Sequence, residues 1–234
     1  MEKAGKLDMK IYGDRQEAGR LLAQELNKEH WDNPLILALP RGGVPVAVEV
    51  ANALGEGLDV FVVRKIGAPW NPEYGIGALS ETGALWLNGD ALAQLALSAE
   101  DMRSIIEHER QEITRRLKRY RGARPLPSPV GRTVILVDDG LATGGTALMA
   151  VRSLKDKGAK AVVVAVPVGS VDAVALLQQE AEQVICLEIP RNFYAVGQWY
   201  REFNQVTDEE VIAYLDAVQA SRSSHPPIVM ARSL

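Results

Sequence analysis

The chain has one cysteine in 234 residues, Cys186, so it holds no internal disulfide. A reducing cytoplasm is the natural setting for such a chain. Its three histidines, His30, His108 and His225, are scattered and lack ligand spacing. That argues against a zinc site or a catalytic triad. Positive charge is not in excess: the formal net charge is −4 and the sequence pI about 5.5. No global field invites nucleic acid, which is not expected as a partner. The apolar runs are of strand length, far short of the ~20 residues that span a membrane. Residues 1–10 alternate charged and small types without the apolar stretch of a signal peptide. A membrane partner is therefore not expected either. Aromatic residues make up 6% of the chain, so their clustering between residues 193 and 203 stands out.

What is present is an alternation of apolar runs and amphipathic stretches. Residues 14–29 are expected to form a helix capped by Asp14, with Ala18, Leu21, Leu22 and Leu26 as its stripe. Residues 34–39 form a short buried strand. Pro40-Arg-Gly-Gly43 interrupts it, residues 44–54 continue as a helix, and residues 58–63 make a second strand. That order is a βαβ unit, which crosses over right-handed to build a parallel sheet. Residues 76–80 and 84–87 flank a glycine-bearing turn and suggest a hairpin. Ser98-x-x-Asp101 opens a long helix whose stripe is Met102, Ile106, Ile113, Leu117 and Tyr120. The α/β pattern resumes with strands at 133–137, 161–166 and 183–187 and helices at 145–157 and 171–180. Residues 208–220 form a closing helix, and 221–234 are expected to be a flexible tail. The expected fold class is α/β: a central, mostly parallel sheet flanked by helices. Residues 1–220 form a single domain, with a hairpin-plus-helix insertion at about 67–130 and an aromatic hood at about 189–206.

The most informative segment is Val134-Ile-Leu-Val-Asp-Asp-Gly-Leu-Ala-Thr-Gly-Gly-Thr146. Gly144 and Gly145 let backbone N–H groups approach an anion, and Thr143 and Thr146 add hydroxyl donors. The following helix N-terminus favours negative charge. Asp138 and Asp139 beside this cradle would repel a phosphate. Vicinal hydroxyls, however, are good donors to carboxylates, so a sugar phosphate satisfies both halves. The plain alternative is an acidic strand end of the response-regulator kind, or a tight turn.

This segment resembles the 5-phosphoribosyl-1-pyrophosphate (PRPP) motif of the type I phosphoribosyltransferases. The resemblance implies that Asp138 and Asp139 hold the ribose hydroxyls, and that Ala142, Thr143, Gly144, Gly145 and Thr146 hold the 5′-phosphate. Gly140 departs from the family, which usually has an apolar residue there. Leu39-Pro-Arg-Gly-Gly43 is similar to the family's pyrophosphate loop, which places Arg41, Gly42 and Gly43 at the leaving group; by itself the tetrapeptide is equally a turn. Arg64 and Lys65, closing the second strand, either add charge for pyrophosphate or are solvated. Glu73, Tyr74 and Glu81 would sit on the family's flexible loop, or on a plain surface hairpin. Phe193, Tyr194, Trp199 and Tyr200 would stack on the base, or form a satellite core.

What the resemblance implies is Mg²⁺-dependent transfer of the phosphoribosyl group from PRPP to a nitrogenous base, with Asp138, Asp139 and Arg41 as the catalytic set and nucleotide salvage as the role. Mg²⁺ would be held through PRPP and water rather than by protein ligands. The partners are PRPP and a small acceptor, and a homodimer stays open. Ala142 stands where the 6-oxopurine enzymes carry an aspartate, which weakens hypoxanthine and guanine as acceptors. Two rivals remain: a PRPP-binding regulator without catalysis, and a transferase acting on a non-base amine. Trp31, Trp70 and Trp86 are expected in packing, Cys186 in the core. The basic run at Arg115, Arg116, Lys118, Arg119, Arg121 and Arg124 is expected to be a solvated helix face.

Overall fold

A computed structural model describes residues 11–95 and 97–224, without the side chains of Pro72, Glu73, Ala99, Ser223 and Ser224. In chain order the first elements are α1 (Arg15–Leu26), β1 (Leu35–Ala38), α2 (Gly43–Leu54), β2 (Leu58–Val60), β3 (Val63–Ala68), β4 (Asn71–Ser80) and β5 (Leu85–Leu87). Next come α3 (Gly89–Leu95), α4 (Ala99–Arg121), β6 (Thr133–Val137), α5 (Gly145–Asp156), β7 (Ala161–Val168), α6 (Val171–Gln178), β8 (Gln183–Glu188) and α7 (Asp208–Ser224). A single 3-10 turn covers Val196–Trp199.

Five strands make a parallel sheet in the order β2-β1-β6-β7-β8. Both faces are covered, so the strands are apolar at nearly every position. Side chains alternate across the sheet. Ile36, Ala38, Ile135, Val137 and Val163 share one core with Leu22 and Leu26 of α1, Val46 and Val50 of α2, and Val211 and Leu215 of α7. Leu35, Leu37, Val134, Leu136 and Val164 face the other way, onto Ala150, Leu154, Val174 and Leu177 of α5 and α6. Each buried leucine or isoleucine contributes about 1.5–3 kcal/mol relative to exposure. The chain leaves β1 toward β2 on one side and returns to β6 on the other. The crevice between the carboxyl ends of β1 and β6 is thus the topological switch point, where open α/β sheets bind ligands.

The second sheet, β3-β4-β5, is antiparallel. It changes one expectation. The apolar run at 58–63 is not one strand: β2 stops at Val60, and Val63 already belongs to β3. Two groups hold the break. The Arg121 guanidinium takes the Val60 carbonyl, and the Glu81 carboxylate takes the Val62 N–H. The departure from the parallel sheet therefore begins at Val63 rather than near residue 67. The expected hairpin is present, with Gly83 in the left-handed region at φ 86°. The long helix α4 carries the expected capping box between Ser98 and Asp101. Helix α3 was not foreseen. Helix α7 includes residues 221–224, which were expected in the tail; the rest of that tail lies outside the described residues.

Candidate active site

The site is built where the loops that follow β1 and β6 meet. Asp138 and Asp139 follow the last residue of β6. Gly42 and Gly43 follow β1, its hydrogen-bonded neighbour. A Cβ added to Gly42 would lie 2.1 Å from Asp139 Oδ2, and one on Gly43 would lie 2.7 Å from the Val137 carbonyl oxygen. Only glycine lets the Pro-Arg-Gly-Gly loop back directly onto the acid pair. The Leu39 N–H donates to the Val137 carbonyl at 2.9 Å, extending the pairing of β1 with β6 into the loops. The Pro40–Arg41 peptide bond is cis.

The phosphate-loop candidates sit one step away. Gly144 adopts φ 75°, left-handed, and serves as the N-cap of α5 without a side-chain cap. The first-turn N–H groups of α5 are therefore left for another acceptor. Ser170 Oγ donates to the Ala142 carbonyl at 2.7 Å and braces the loop from α6. Gly140 also has a steric reason: a Cβ there would come 2.7 Å from Val196 Cγ1. The aromatic segment occupies the space that an apolar residue at 140 would need. Thr143, Gly145 and Thr146 open onto a cavity of about 440 Å³, whose other wall is Lys65, Gly75, Gly77 and Trp86 of the antiparallel sheet. A larger hollow of about 590 Å³ lies at the opposite ends of β1 and β2, lined by Leu35, Leu58 and Arg132 among others, and contains none of the expected site residues.

Electrostatics set the two carboxylates apart. The Asp139 N–H donates to Asp138 Oδ1 at 2.9 Å. Burial, reinforced by the Asp139 charge, pushes the Asp138 carboxyl well above the usual carboxylate range. Burial also raises Asp139, but Arg15 opposes it, with Nε 2.8 Å from Oδ2. The Tyr200 hydroxyl donates to the Asp139 carbonyl at 2.6 Å. Arg15 was not found from the sequence. It opens α1, and its pairing with Asp139 spans 124 residues.

Arg41 stands at the head of the glycine loop. Its Nη1 lies 3.7 Å from Asp208 Oδ1. Asp208, the first residue of α7, also accepts from Tyr120 at 2.6 Å and from Arg115 and Arg119 at 3.2 Å. The α4 insertion thus reaches the neighbourhood of Arg41 through one carboxylate.

Several expected site residues are placed differently from the expectation, although Lys65 still borders the phosphate-loop cavity. Arg64 lies in β3, paired with Glu109 at 2.7 Å, and Lys65 lies beside it in the same antiparallel strand; neither ends a parallel strand. Glu81 is buried against Arg121 at 2.5 Å and is a packing group, not a mobile loop carboxylate. Arg121 also meets Asp59 at 3.0 Å, so this member of the basic run is in the interior rather than solvated. Burial demands that such a charge be paired, which the two carboxylates do. Tyr74 is exposed, and the Glu73 side chain lies outside the described residues. Trp199 and Tyr200 are buried with Tyr12, Ala18 and Val168, so neither ring face is open to a base. Phe193 stacks on Trp199 at 6.4 Å, and Tyr194 is 88% exposed. Trp70 and Trp86 are exposed rather than packed.

Comparison with known proteins identifies the family. The phosphoribosyl transferase domain matches residues 10–202. Two proteins of Mycobacterium tuberculosis, from strains CDC 1551 and H37Rv, each named "Putative phosphoribosyl transferase", are 46% identical over 208 residues, 89% of this chain. The chain spans 47% of the length of these relatives. The crystal structure of TT1426 from Thermus thermophilus is 44% identical, with a TM-score of 0.75 over 88% of this chain and 97% of that one. The chain belongs to the phosphoribosyl transferase domain family.

Proposed function

We propose that this chain transfers the 5-phosphoribosyl group from PRPP to a nitrogenous base and releases pyrophosphate. The observation that carries the reading is the closeness of Gly42 to Asp139, because it brings the acid pair and the Pro-Arg-Gly-Gly loop into one crevice, as a ribose site beside a pyrophosphate site would require. The open N-terminus of α5, one loop further on, would take the 5′-phosphate. Arg41 would meet the leaving pyrophosphate with its planar fork. Asp138 and Asp139 would orient the ribose hydroxyls, and the ionised member of the pair would favour the positive charge that grows on the sugar as the anomeric bond breaks. Among the described residues no cluster of three or more His, Cys, Asp or Glu side chains forms a cage for an ion. Mg²⁺ on the oxygens of PRPP and on water suits such a crevice, and it would neutralise the charge of the leaving group. Gly42, Arg15 and Tyr200 pack around Asp139, and the reading has the pair's remaining side meet the sugar.

Burial of Trp199 and Tyr200 removes two of the four rings that could have held a base. Acceptor identity therefore stays open between bases and other amines. A cytoplasmic setting and a role in nucleotide salvage belong to the same reading and rest on it alone. The test is pyrophosphate release from PRPP and Mg²⁺ over a panel of bases and amines. Release with one acceptor supports the proposal. PRPP binding without release from any acceptor supports a regulator, and absence of PRPP binding defeats both.

A further inference from the structure

The acid pair presents a charge problem that the family resemblance does not solve. Two adjacent carboxylates stand where a strongly anionic substrate must enter. Like charges this close disfavour each other's ionisation. The charged and titratable groups meeting the pair come from few places. From α1 there is Arg15. From the aromatic segment there is Tyr200, whose hydroxyl is committed to the Asp139 carbonyl. Tyr12 lies behind Tyr200, with ring centroids 5.5 Å apart, and its own hydroxyl donates to the Pro167 carbonyl. On the side of β1 the neighbours are Gly42 and Gly43, and the adjacent Arg41 has its guanidinium near Asp208.

Arg15 is therefore the cation of the pair, and it is held from several directions. Its Nε donates to Asp139 Oδ2 at 2.8 Å, and Nη1 donates to the Asn204 carbonyl at 2.8 Å. Its guanidinium lies 3.9 Å from the Phe203 ring centroid and 5.9 Å from that of Tyr200. Its backbone is fixed as well, because Arg15 opens α1 directly after the Asp14 cap. The side chain is 10% exposed. A planar fork fits this site better than the point charge of a lysine would.

We propose that Arg15 is the positioning residue that assigns charge within the acid pair, fixing Asp139 as the standing anion and leaving Asp138 neutral, so that the site carries no net negative charge toward an incoming polyanion. The proposal rests on the reading of the pair as the ribose site. Geometry supports it: among the described residues the guanidinium that meets the pair reaches one carboxylate, not both. The other carboxylate, Asp138, accepts the Asp139 N–H at 2.9 Å, a bond that favours ionisation but brings no full counter-charge. Burial works against a second uncompensated charge at that place. The ribose then meets one ionised acceptor and one neutral carboxylic acid.

The test uses the full chain with three substitutions, Arg15→Gln, Arg15→Lys and Phe203→Leu, and two readouts. The first, without ligand, is the carbon-13 titration of the aspartate carboxyls by NMR. The second is the pH dependence of kcat/KM for PRPP. In Arg15→Gln the Asp139 transition should move up by about one pH unit or more, the size of effect that an opposite charge exerts at contact. The acid limb of kcat/KM should move in the same direction, KM for PRPP should rise, and at pH below both limbs kcat/KM should fall about tenfold, the change in charged fraction that one unit represents there. Arg15→Lys should restore the position of the limb while leaving KM raised. Phe203→Leu keeps the cation but removes its platform, should give a smaller shift of the same sign, and serves if Arg15→Gln does not fold. A uniform loss of activity at every pH, with the carboxyl titration unmoved, overturns the proposal and makes Arg15 a packing residue. A shifted titration in a protein that never turns over PRPP upholds the charge assignment and defeats the functional reading instead.

Discussion

Gly42 and Asp139 stand so close that a single added carbon would come 2.1 Å from the carboxylate oxygen. Gly42→Ala must therefore push the loop, the carboxylate or both out of place. Overpacking of this kind costs about 1–3 kcal/mol. The expected outcome is a modest loss of melting temperature with a much larger loss of PRPP affinity. Gly89→Ala, where the added carbon meets nothing within 4 Å, is the control. Equal PRPP affinity in the two variants would remove Gly42 from the site.

The buried group of Arg121, Asp59 and Glu81 yields a stability prediction. Arg121 is the cation for both carboxylates. Removing one partner of a buried pair costs about 3–5 kcal/mol, because the remaining charge is uncompensated. Arg121→Ala should lose roughly that much at pH 8. The sign with pH follows from the carboxylates. Burial raises both above their ordinary values, against the pull of Arg121. A group with a raised folded-state pKa contributes stability below its unfolded value and loses it as pH rises through the folded one. Without Arg121 the folded values rise further. The gap between variant and wild type in urea denaturation should thus narrow from pH 8 to pH 5. A gap that is constant or widens would show that the carboxylates are not what the arginine holds.

The residues that escaped the sequence share one physical feature: their partners are distant in the chain. The parallel strands were readable because a strand buried on both faces is a continuous apolar run, and the Pro-Arg-Gly-Gly and Asp-Asp segments punctuate two such runs. Nothing near Arg15 announces Asp139, 124 residues away. Val63 reads as part of the run from Leu58, since apolar character does not reveal that Arg121 and Glu81 divert the chain between them. Arg121 looked solvated because its neighbours in sequence are basic, whereas Glu81 lies 40 residues from it. Trp199 and Tyr200 were readable as aromatic but not as inward-facing. Ring stacking on a base and ring packing in a core call for the same residues.

The same aromatic segment separates structural rings from exposed ones. Trp199→Ala and Tyr200→Ala remove buried side chains, and such truncations cost about 3–5 kcal/mol. Both should lower stability in chemical denaturation, and Tyr200→Ala should also weaken PRPP binding by freeing the Asp139 carbonyl. Tyr194→Ala should leave stability unchanged. If Trp199→Ala proves as stable as wild type and changes only the acceptor KM, the ring serves a base after all.

Cys186 offers a chemical test of burial. Desolvation pushes its thiol up to about 12. The thiolate is the reactive form, so at pH 8 only about one molecule in ten thousand would present it. Labelling by a disulfide reagent should be slow in the folded chain and rapid in denaturant. Fast labelling without denaturant would place the thiol nearer solvent than the structure does.

Separating the two aspartates is the sharpest stability measurement. Asp138 has its carboxyl raised by burial and by the Asp139 charge. By the sign rule used above, it contributes stability at low pH that is lost as pH rises through its folded value. Asp138→Asn keeps a hydrogen-bond acceptor for the Asp139 N–H and cannot ionise. Its melting temperature should therefore exceed that of wild type at high pH and approach it at low pH. Asp139 is also raised by burial, but Arg15 opposes the rise, so Asp139→Asn should follow the same sign over a smaller span. Both variants should lose transfer by about a hundredfold or more, as other preorganised electrostatic sites do when one group is removed. The pair would then be a place where stability is given up for function, with the two halves of the cost distinguishable. Differential scanning calorimetry from pH 6 to pH 9 decides it. Equal spans in the two variants would mean that the carboxylates share their charge equally, and that Arg15 does not divide them.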